Sequence, residues 1–176
     1  QESHVLNIGL DDESGGYLMT KYLLECGYEH IQVCAGRDSG VDHLRYMGAQ
    51  KAAKEFAEKN QKVQFTALGM NYAKRKESYA WLIQRKKPKT ALFFLSDLYA
   101  LEAISFFSSR GVKIPEEIGI AGYDNISYAE FSVPRLTTVS QNVEQKASLA
   151  VEILMERING EDKERENEIK LPVTLI

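Results

Sequence analysis

Two cysteines, Cys26 and Cys34, are all that this sequence of 176 residues carries. They are too few and too irregularly placed for a disulfide framework or a zinc site, and they read as buried or half-buried thiols of a reducing compartment. Excess basic charge is missing too: 22 Lys and Arg stand against 25 Asp and Glu, for a net charge of −3. A surface that grips phosphate backbones needs the opposite balance, so any action on DNA falls to a part outside this chain. No apolar run approaches the ~20 residues that cross a bilayer. No signal peptide precedes the first strand, and a start at Gln1 rather than Met reads as a fragment or processed product. His4, His30 and His43 are scattered without metal-ligand spacing. No nucleophile–base pair, P-loop or dinucleotide glycine fingerprint is found, and the Gly36–Gly40 loop has the wrong glycine spacing for a phosphate cradle. The expectation is a binding protein without cofactor, metal or membrane partner, not an enzyme.

What is present is an ordinary globular composition, 44% hydrophobic and 27% charged, enough to bury a core in one large domain or two small lobes. Strand and helix alternate along it. His4–Leu10 reads as a buried strand, followed by Asp11, Asp12 and Ser14 as helix caps. Tyr17, Leu18, Tyr22, Leu23 and Leu24 then recur at helical spacing up to Gly27. Ile31–Ala35 is a short strand, and from Asp42 to about Lys59 Leu44, Met47, Ala52 and Phe56 mark one face of an amphipathic helix. Val63–Leu68 and Thr90–Leu95 are strands, the latter a continuous apolar run of the kind a parallel sheet requires. Ala73–Arg85 and Leu98–Ser109 are helices. Tyr79 and Trp81 look like helix packing. Ile118–Gly122 is another strand, Leu136–Ser140 is extended, Val143–Ile158 is helical, and Ile169–Leu175 is a last strand. The charged stretch Glu161–Glu168 reads as a solvated loop. The alternation predicts an α/β fold, a doubly wound, mostly parallel sheet with helices on both faces. Ligands of such sheets bind beyond the carboxyl ends of the strands.

Asp11 and Asp12, the Gly36 loop leading to Arg45, Ser96 and Asp97, Tyr123-Asp124-Asn125, and Gln141-Asn142 all follow strands in this reading. Together they form a ring of carboxylates, amides, a hydroxyl and a guanidinium at one sheet edge. Such groups suit a neutral polyhydroxylated ligand, whose paired hydroxyls Asp and Asn or Gln take up while Arg donates through its fork. Several members have plainer readings: Asp11, Asp12 and Asp97 as helix caps, Asp124 as an Asx-turn residue, Arg45 as a surface helix residue.

Several segments also resemble one family. Gly27–Gly36 (GYEHIQVCAG), Arg45 with Gly48, Thr90–Leu101 (TALFFLSDLYAL), Gly111–Asn125 (GVKIPEEIGIAGYDN), Pro134–Val139 (PRLTTV) and Leu171–Ile176 (LPVTLI) are similar, in this order, to motifs of the LacI/GalR transcription regulators. The IP…GYDN segment followed by P-x-LTTV is the most specific part. The resemblance implies a periplasmic-binding-protein type I fold, of which this chain is mainly the second lobe. Residues 1–142 correspond to that lobe, 143–168 to a crossover helix and charged loop of the first lobe, and 169–176 to a strand that returns. It further implies a cytoplasmic homodimer that meets operator DNA only through a headpiece outside the chain and binds a sugar or related metabolite as effector.

Residue by residue, the resemblance makes Arg45 the effector-binding arginine and Asp124 the hydroxyl-binding aspartate. Ser96 stands where many members have Asn, beside the usual Asp97, and Gln141 lies on a crossover segment that touches the ligand. Met70 falls near a position where many sugar-binding members place a stacking aromatic ring; a Met there departs from the family pattern, and a sugar stack then requires Tyr72 to take over. In the second-lobe layout Val143, Ala147, Ala150, Val151, Leu154 and Ile158 expose an apolar helix face that needs a partner. Two other readings of the same fold are a periplasmic sugar-binding protein for transport, against which the PRLTTV segment and the unpaired cysteines speak, and a sugar-modifying enzyme using Asp11, Asp12 and Asp124, for which no partner base is evident.

Overall fold

The computed structural model describes residues 6–36, 39–57, 60–161 and 167–176. The first residues of the expected opening strand, the centre of the Gly36–Gly40 loop, the end of the second helix and most of the Glu161–Glu168 stretch lie outside the described residues. In chain order the elements are β1 (Asn7–Leu10), α1 (Asp12–Glu25), β2 (His30–Ala35), α2 (Gly40–Phe56), β3 (Lys62–Ala67), α3 (Tyr72–Gln84) and β4 (Thr90–Phe94). After them come α4 (Asp97–Ser108), β5 (Gly119–Ala121), α5 (Ser127–Phe131), β6 (Val139–Ser140), α6 (Val143–Ile158), β7 (Glu168–Leu171) and β8 (Thr174–Leu175).

The main sheet is parallel, in the order β3-β2-β4-β5. Two short ribbons stand beside it: β1 pairs with β7 in parallel, and β6 pairs with β8 antiparallel. The last apolar segment, expected as one strand, is two, because Pro172 has no N–H with which to continue a ladder.

Side-chain alternation divides the core between the two faces of the sheet. From β2 and β4, Ile31, Val33, Ala35, Ala91 and Phe93 point to the face where α1 contributes Met19, Leu23 and Leu24 and α2 contributes Ala49. Cys34, Leu92 and Phe94 point the other way, onto Tyr79 and Leu82 of α3 and Ala100, Ala103, Ile104 and Phe107 of α4. Tyr79 is the hub of that second core: it is fully buried, with the rings of Phe94, Phe106 and Phe107 within 6.2 Å of its own. Trp81, on the same helix, remains largely exposed under the Arg85 guanidinium.

α1 and α2 pack so closely that their backbones touch. A Cβ on Gly16 would overlap the carbonyl of Arg45, and one on Gly48 would overlap the carbonyl of Glu13. This contact turns α2 away from the expected face, of which only Ala52 is buried. Its buried face is Arg45, Gly48, Ala49 and Ala52, while Leu44, Met47 and Phe56 are exposed. Small residues win the inner face because only they permit the close crossing. α6 is less engaged: Val143, Ala147, Ala150, Val151, Leu154 and Ile158 are all exposed and only Ile153 is buried. The apolar face expected to lack a partner therefore has none within the described residues.

Candidate functional site

The carboxyl ends of β2, β4 and β5 open onto a cavity of about 250 Å³, small beside the ~300–1,000 Å³ of pockets that enclose drug-sized ligands. Its wall includes Gly36, Ser39, Asp42, Arg45, Ser96, Tyr99 and Asp124. A larger hollow of about 430 Å³ lies at the opposite ends of β2 and β4, beside Glu29 and Lys89. There Lys89 is bonded to Glu29 at 2.6 Å, and Gln61 donates to the carbonyls of Leu24 and Tyr28. Its polar groups hold the fold together, and it is at the wrong edge for a parallel sheet. The smaller cavity is the candidate site.

Arg45 reaches it from the first turns of α2. The guanidinium is buried, with Nε donating to Asp12 Oδ1 at 2.8 Å and Nη1 donating to the Leu95 carbonyl at 2.8 Å. It lies over the Tyr123 ring, 3.8 Å from the centroid, and its Nη1 is 4.0 Å from Asp124 Oδ1. The plainer reading of Arg45 as a surface residue fails.

Asp124 leaves β5 with φ of 120°, followed by Asn125 at 54°. Left-handed backbone at non-glycine residues costs of order 1–3 kcal/mol each and persists only where surroundings enforce it. The enforcement is visible: the Asp124 N–H donates to the Val139 carbonyl at 2.9 Å, and Asn125 Nδ2 donates to Ser140 Oγ at 3.2 Å. The Asp124 carboxylate accepts from Ser96 Oγ at 3.1 Å and from Gln141 Nε2 at 2.6 Å. Burial pushes its carboxyl up to about 6, although the Arg45 charge and the Ser96 hydroxyl pull the other way.

Four of the residues expected at the site thus come together: Arg45, Ser96, Asp124 and Gln141. Arg45, Ser96 and Asp124 line the cavity, Gln141 reaches it only through its bond to Asp124, and the structure does not bring the other three there. Asp97 is fully buried beneath it, with Oδ1 accepting from Thr138 Oγ1 at 2.6 Å and Oδ2 from the Ile126 N–H at 2.9 Å. Its own N–H donates to the Tyr123 carbonyl at 2.7 Å. Asp97 pins the turn that presents Asp124, and burial raises its carboxyl above the usual range against these hydrogen bonds. Nor is it the helix cap, since Ser96 holds that position. Met70 and Tyr72 stand at the start of α3, 56% and 49% exposed, and neither lines the cavity.

Sequence reasoning passed over Ser39, Asp42 and Tyr99 on the wall. Ser39 caps α2, accepting from the Asp42 N–H at 3.1 Å. A Cβ on Gly36 would press against the Tyr99 ring, so glycine at the end of β2 keeps this corner open. Of the two acids that the sequence offers both to the ring and as caps, Asp11 is the cap, accepting from the Ser14 N–H at 3.1 Å, and Asp12 pairs with Arg45. Its position directly after a strand was the available signal, and a capping role and an ion-pairing role look alike in a string of letters.

Chemically the arrangement offers hydrogen-bond donors and acceptors to a polar ligand. The Asp42 and Asp124 carboxylates, the Arg45 guanidinium and the Ser96 and Tyr99 hydroxyls share the wall, and the Gln141 amide is bonded to Asp124. Among the described residues no group of three or more His, Cys, Asp or Glu could hold a metal ion, and no helix is long and apolar enough to cross a membrane.

Residues 20–176 match the family model described as a periplasmic binding protein-like domain. The HTH-type transcriptional repressor PurR of Haemophilus influenzae is 33% identical over 168 residues, covering 94% of this chain and 50% of the repressor. The chain therefore spans about half the length of the curated relatives it matches. The fold is also that of a LacI family transcriptional regulator from Enterococcus faecium with ribose bound. That structure gives a TM-score of 0.86 at 27% identity, over 100% of this chain and 65% of that one. A periplasmic binding protein/LacI transcriptional regulator from Alkaliphilus metalliredigens, complexed with D-xylulofuranose, gives 0.83 at 26% identity, over 98% and 64% of the two chains.

Proposed function

This chain belongs to the periplasmic binding protein-like family, as an effector-binding domain of the LacI-type transcriptional regulators, and we propose that it senses a small sugar-like effector. The observation that carries the reading is the convergence of Arg45, Ser96 and Asp124 on one cavity beyond the carboxyl ends of the sheet, with Gln141 bonded to Asp124 from outside the wall. Asp124 accepts from a pair of effector hydroxyls, Arg45 donates to ring or hydroxyl oxygens, and Ser96 does either. The cavity volume suits a ligand of monosaccharide size better than an extended chain. Bound ribose and D-xylulofuranose in two structural relatives support a pentose or similar polyol as the first class to try.

In this reading the second wall of the cleft is supplied by sequence outside these residues. Residues 1–142 form mainly one lobe, residues 143–168 belong with the other, and residues 169–176 return. The exposed apolar face of α6 supports the assignment, since it has no sheet to cover among the described residues. The effector favours one relative orientation of the lobes by its differential affinity for the two states. In a homodimer that orientation sets the spacing of two headpieces, outside this chain, and so operator affinity.

A thermal-shift panel of pentoses, hexoses, disaccharides and nucleosides on a protein carrying this chain within both lobes tests the reading. An effector at 100 times its dissociation constant stabilises by about 2.7 kcal/mol, and both Arg45→Ala and Asp124→Ala remove the shift. A panel without a hit, or a hit that survives both substitutions, refutes it. With one wall alone, this chain binds the same effector only at millimolar concentration or weaker.

A further inference from the structure

Arg45 is the cation of the cavity, yet it has no freedom to find a ligand on its own, since more than nine-tenths of its surface is covered. Its aim is set by what it lies against. Asp12, equally buried, takes the Nε–H at 2.8 Å, and the Tyr123 hydroxyl donates to the same Asp12 oxygen at 3.4 Å. The Tyr123 ring forms the floor under the guanidinium at 3.8 Å.

None of this could be assembled if the helices stood at ordinary separation. Gly15 has no Cβ where the Tyr123 hydroxyl sits, and Gly16 and Gly48 let α1 and α2 meet backbone to backbone. Asp12, the first residue of α1, is thereby held against a side chain of α2. Burying an ion pair of this kind adds little net stability, because desolvation consumes the Coulomb gain. What such a pair does supply is direction: with Nε held by Asp12 and Nη1 by the Leu95 carbonyl, the planar fork is left one orientation.

We propose that Asp12 is a positioning residue for the effector site. It holds the Arg45 guanidinium over the Tyr123 ring and aimed at the cavity, without lining the cavity itself. The inference rests on the reading of that cavity as the effector site, and the two can be tested apart.

The test is nitrogen-15 NMR of the arginine Nε–H groups in the 176-residue chain, comparing wild type with Asp12→Asn and Asp12→Ala. Arg75, whose Nε donates to Glu102 at 2.7 Å, is the internal control. In the wild type the Arg45 Nε–H exchanges slowly with solvent. Asp12→Asn keeps an acceptor but removes its charge, which weakens the bond enough to speed exchange about tenfold. Asp12→Ala removes the acceptor, and the resonance exchanges too fast to observe while the Arg75 signal is unchanged. A general loss of structure would move both signals, so the contrast isolates positioning. If Asp12→Ala does not fold, the isosteric Asn variant decides alone. Unaltered Arg45 exchange in a folded variant overturns the proposal.

Titration with D-ribose to 100 mM supplies the second arm. Ribose-induced shifts at Ser96 and Asp124 that are at least tenfold weaker in Asp12→Asn support the positioning role. Equal shifts in wild type and variant overturn it and leave the cavity reading intact. Absence of any shift at the cavity with ribose counts against the cavity reading for pentoses, and the exchange contrast then decides the role of Asp12 by itself.

Discussion

Replacing Asp124 by asparagine separates what the carboxylate does from what it costs. In the folded chain burial raises the Asp124 carboxyl to about 6, against the pull of the Arg45 charge and the Ser96 hydroxyl. In the unfolded chain it titrates near ~3.9. Between those values the folded state binds more protons than the unfolded state, so stability is fully present below about pH 4 and declines as pH rises through 6. A displacement of this size is worth about 3 kcal/mol. The side chain is 29% exposed, and solvent screening trims the figure to about 2 kcal/mol. Asparagine is uncharged throughout and imitates the protonated acid. The variant should therefore gain about 2 kcal/mol on the wild type between pH 4 and pH 7.5, roughly 4–8 °C in melting temperature for a domain of this length. Urea unfolding of both proteins at four pH values with a shared m-value reads the difference directly, and groups common to both chains, Asp97 included, cancel. A difference that is flat across this range refutes the reasoning. One in which asparagine loses ground as pH rises would mean that the Arg45 charge, not burial, governs the carboxyl.

Gly48→Ala and Gly40→Ala should part company. The first drives a methyl into the Glu13 carbonyl, and overpacking of about 1–3 kcal/mol outweighs the ~1 kcal/mol that alanine gains in a helix. The second adds its methyl in open space and should leave the urea midpoint unchanged or slightly higher. Asp97→Ala strands the Thr138 hydroxyl and the Ile126 N–H, at about 2–4 kcal/mol for two buried groups; the same variant should lose effector binding although Asp97 never meets the cavity. Leu154→Glu with Ile158→Glu, on the exposed face of α6, should change the stability of this chain by less than about 0.5 kcal/mol each and abolish concentration-dependent association in sedimentation velocity. Association that survives both changes would show that α6 is not the adhesive face.

Legibility in the sequence followed the range of the interaction. β4 could be read from its letters because five consecutive buried residues leave a parallel strand as the natural reading. α6 was legible to the residue, its amphipathic stripe bounded by the Asn142 cap and Gly160. α2 was legible as a helix but not in its orientation. Hydrophobic periodicity assumes that large apolar residues point inward, and it cannot register a neighbour so close that only glycine and alanine fit. Asp12 escaped for a related reason, since its partner lies 33 residues away and nothing local distinguishes it from Asp11. The PRLTTV and GYDN segments were legible as family motifs. Their physical content is that Thr138 and Asp97 lock the turn, a long-range bond that no local rule predicts.

The features that make the site able to bind are the ones that weaken the fold around it. Asp124 and Asn125 hold left-handed backbone, Asp124 is kept where its charge is unwelcome, and Arg45 and Asp12 share a buried ion pair. Each would be relieved by a plain residue: glycine for the turn, asparagine for the acid, an apolar pair for the ions. The surrounding structure holds them regardless, through Asp97 under the turn and glycines between the helices. A hydroxylated ligand would accept and return the hydrogen bonds that these groups now make among themselves, as Gln141 and Ser96 do to Asp124. Binding is then an exchange of partners at a prearranged site, in which the strain is already present before the effector arrives. On this logic the stability gained by Asp124→Asn at neutral pH and the effector affinity it loses have one cause. Variants that gain stability at Asp124 or at the Arg45–Asp12 pair should lose affinity with it.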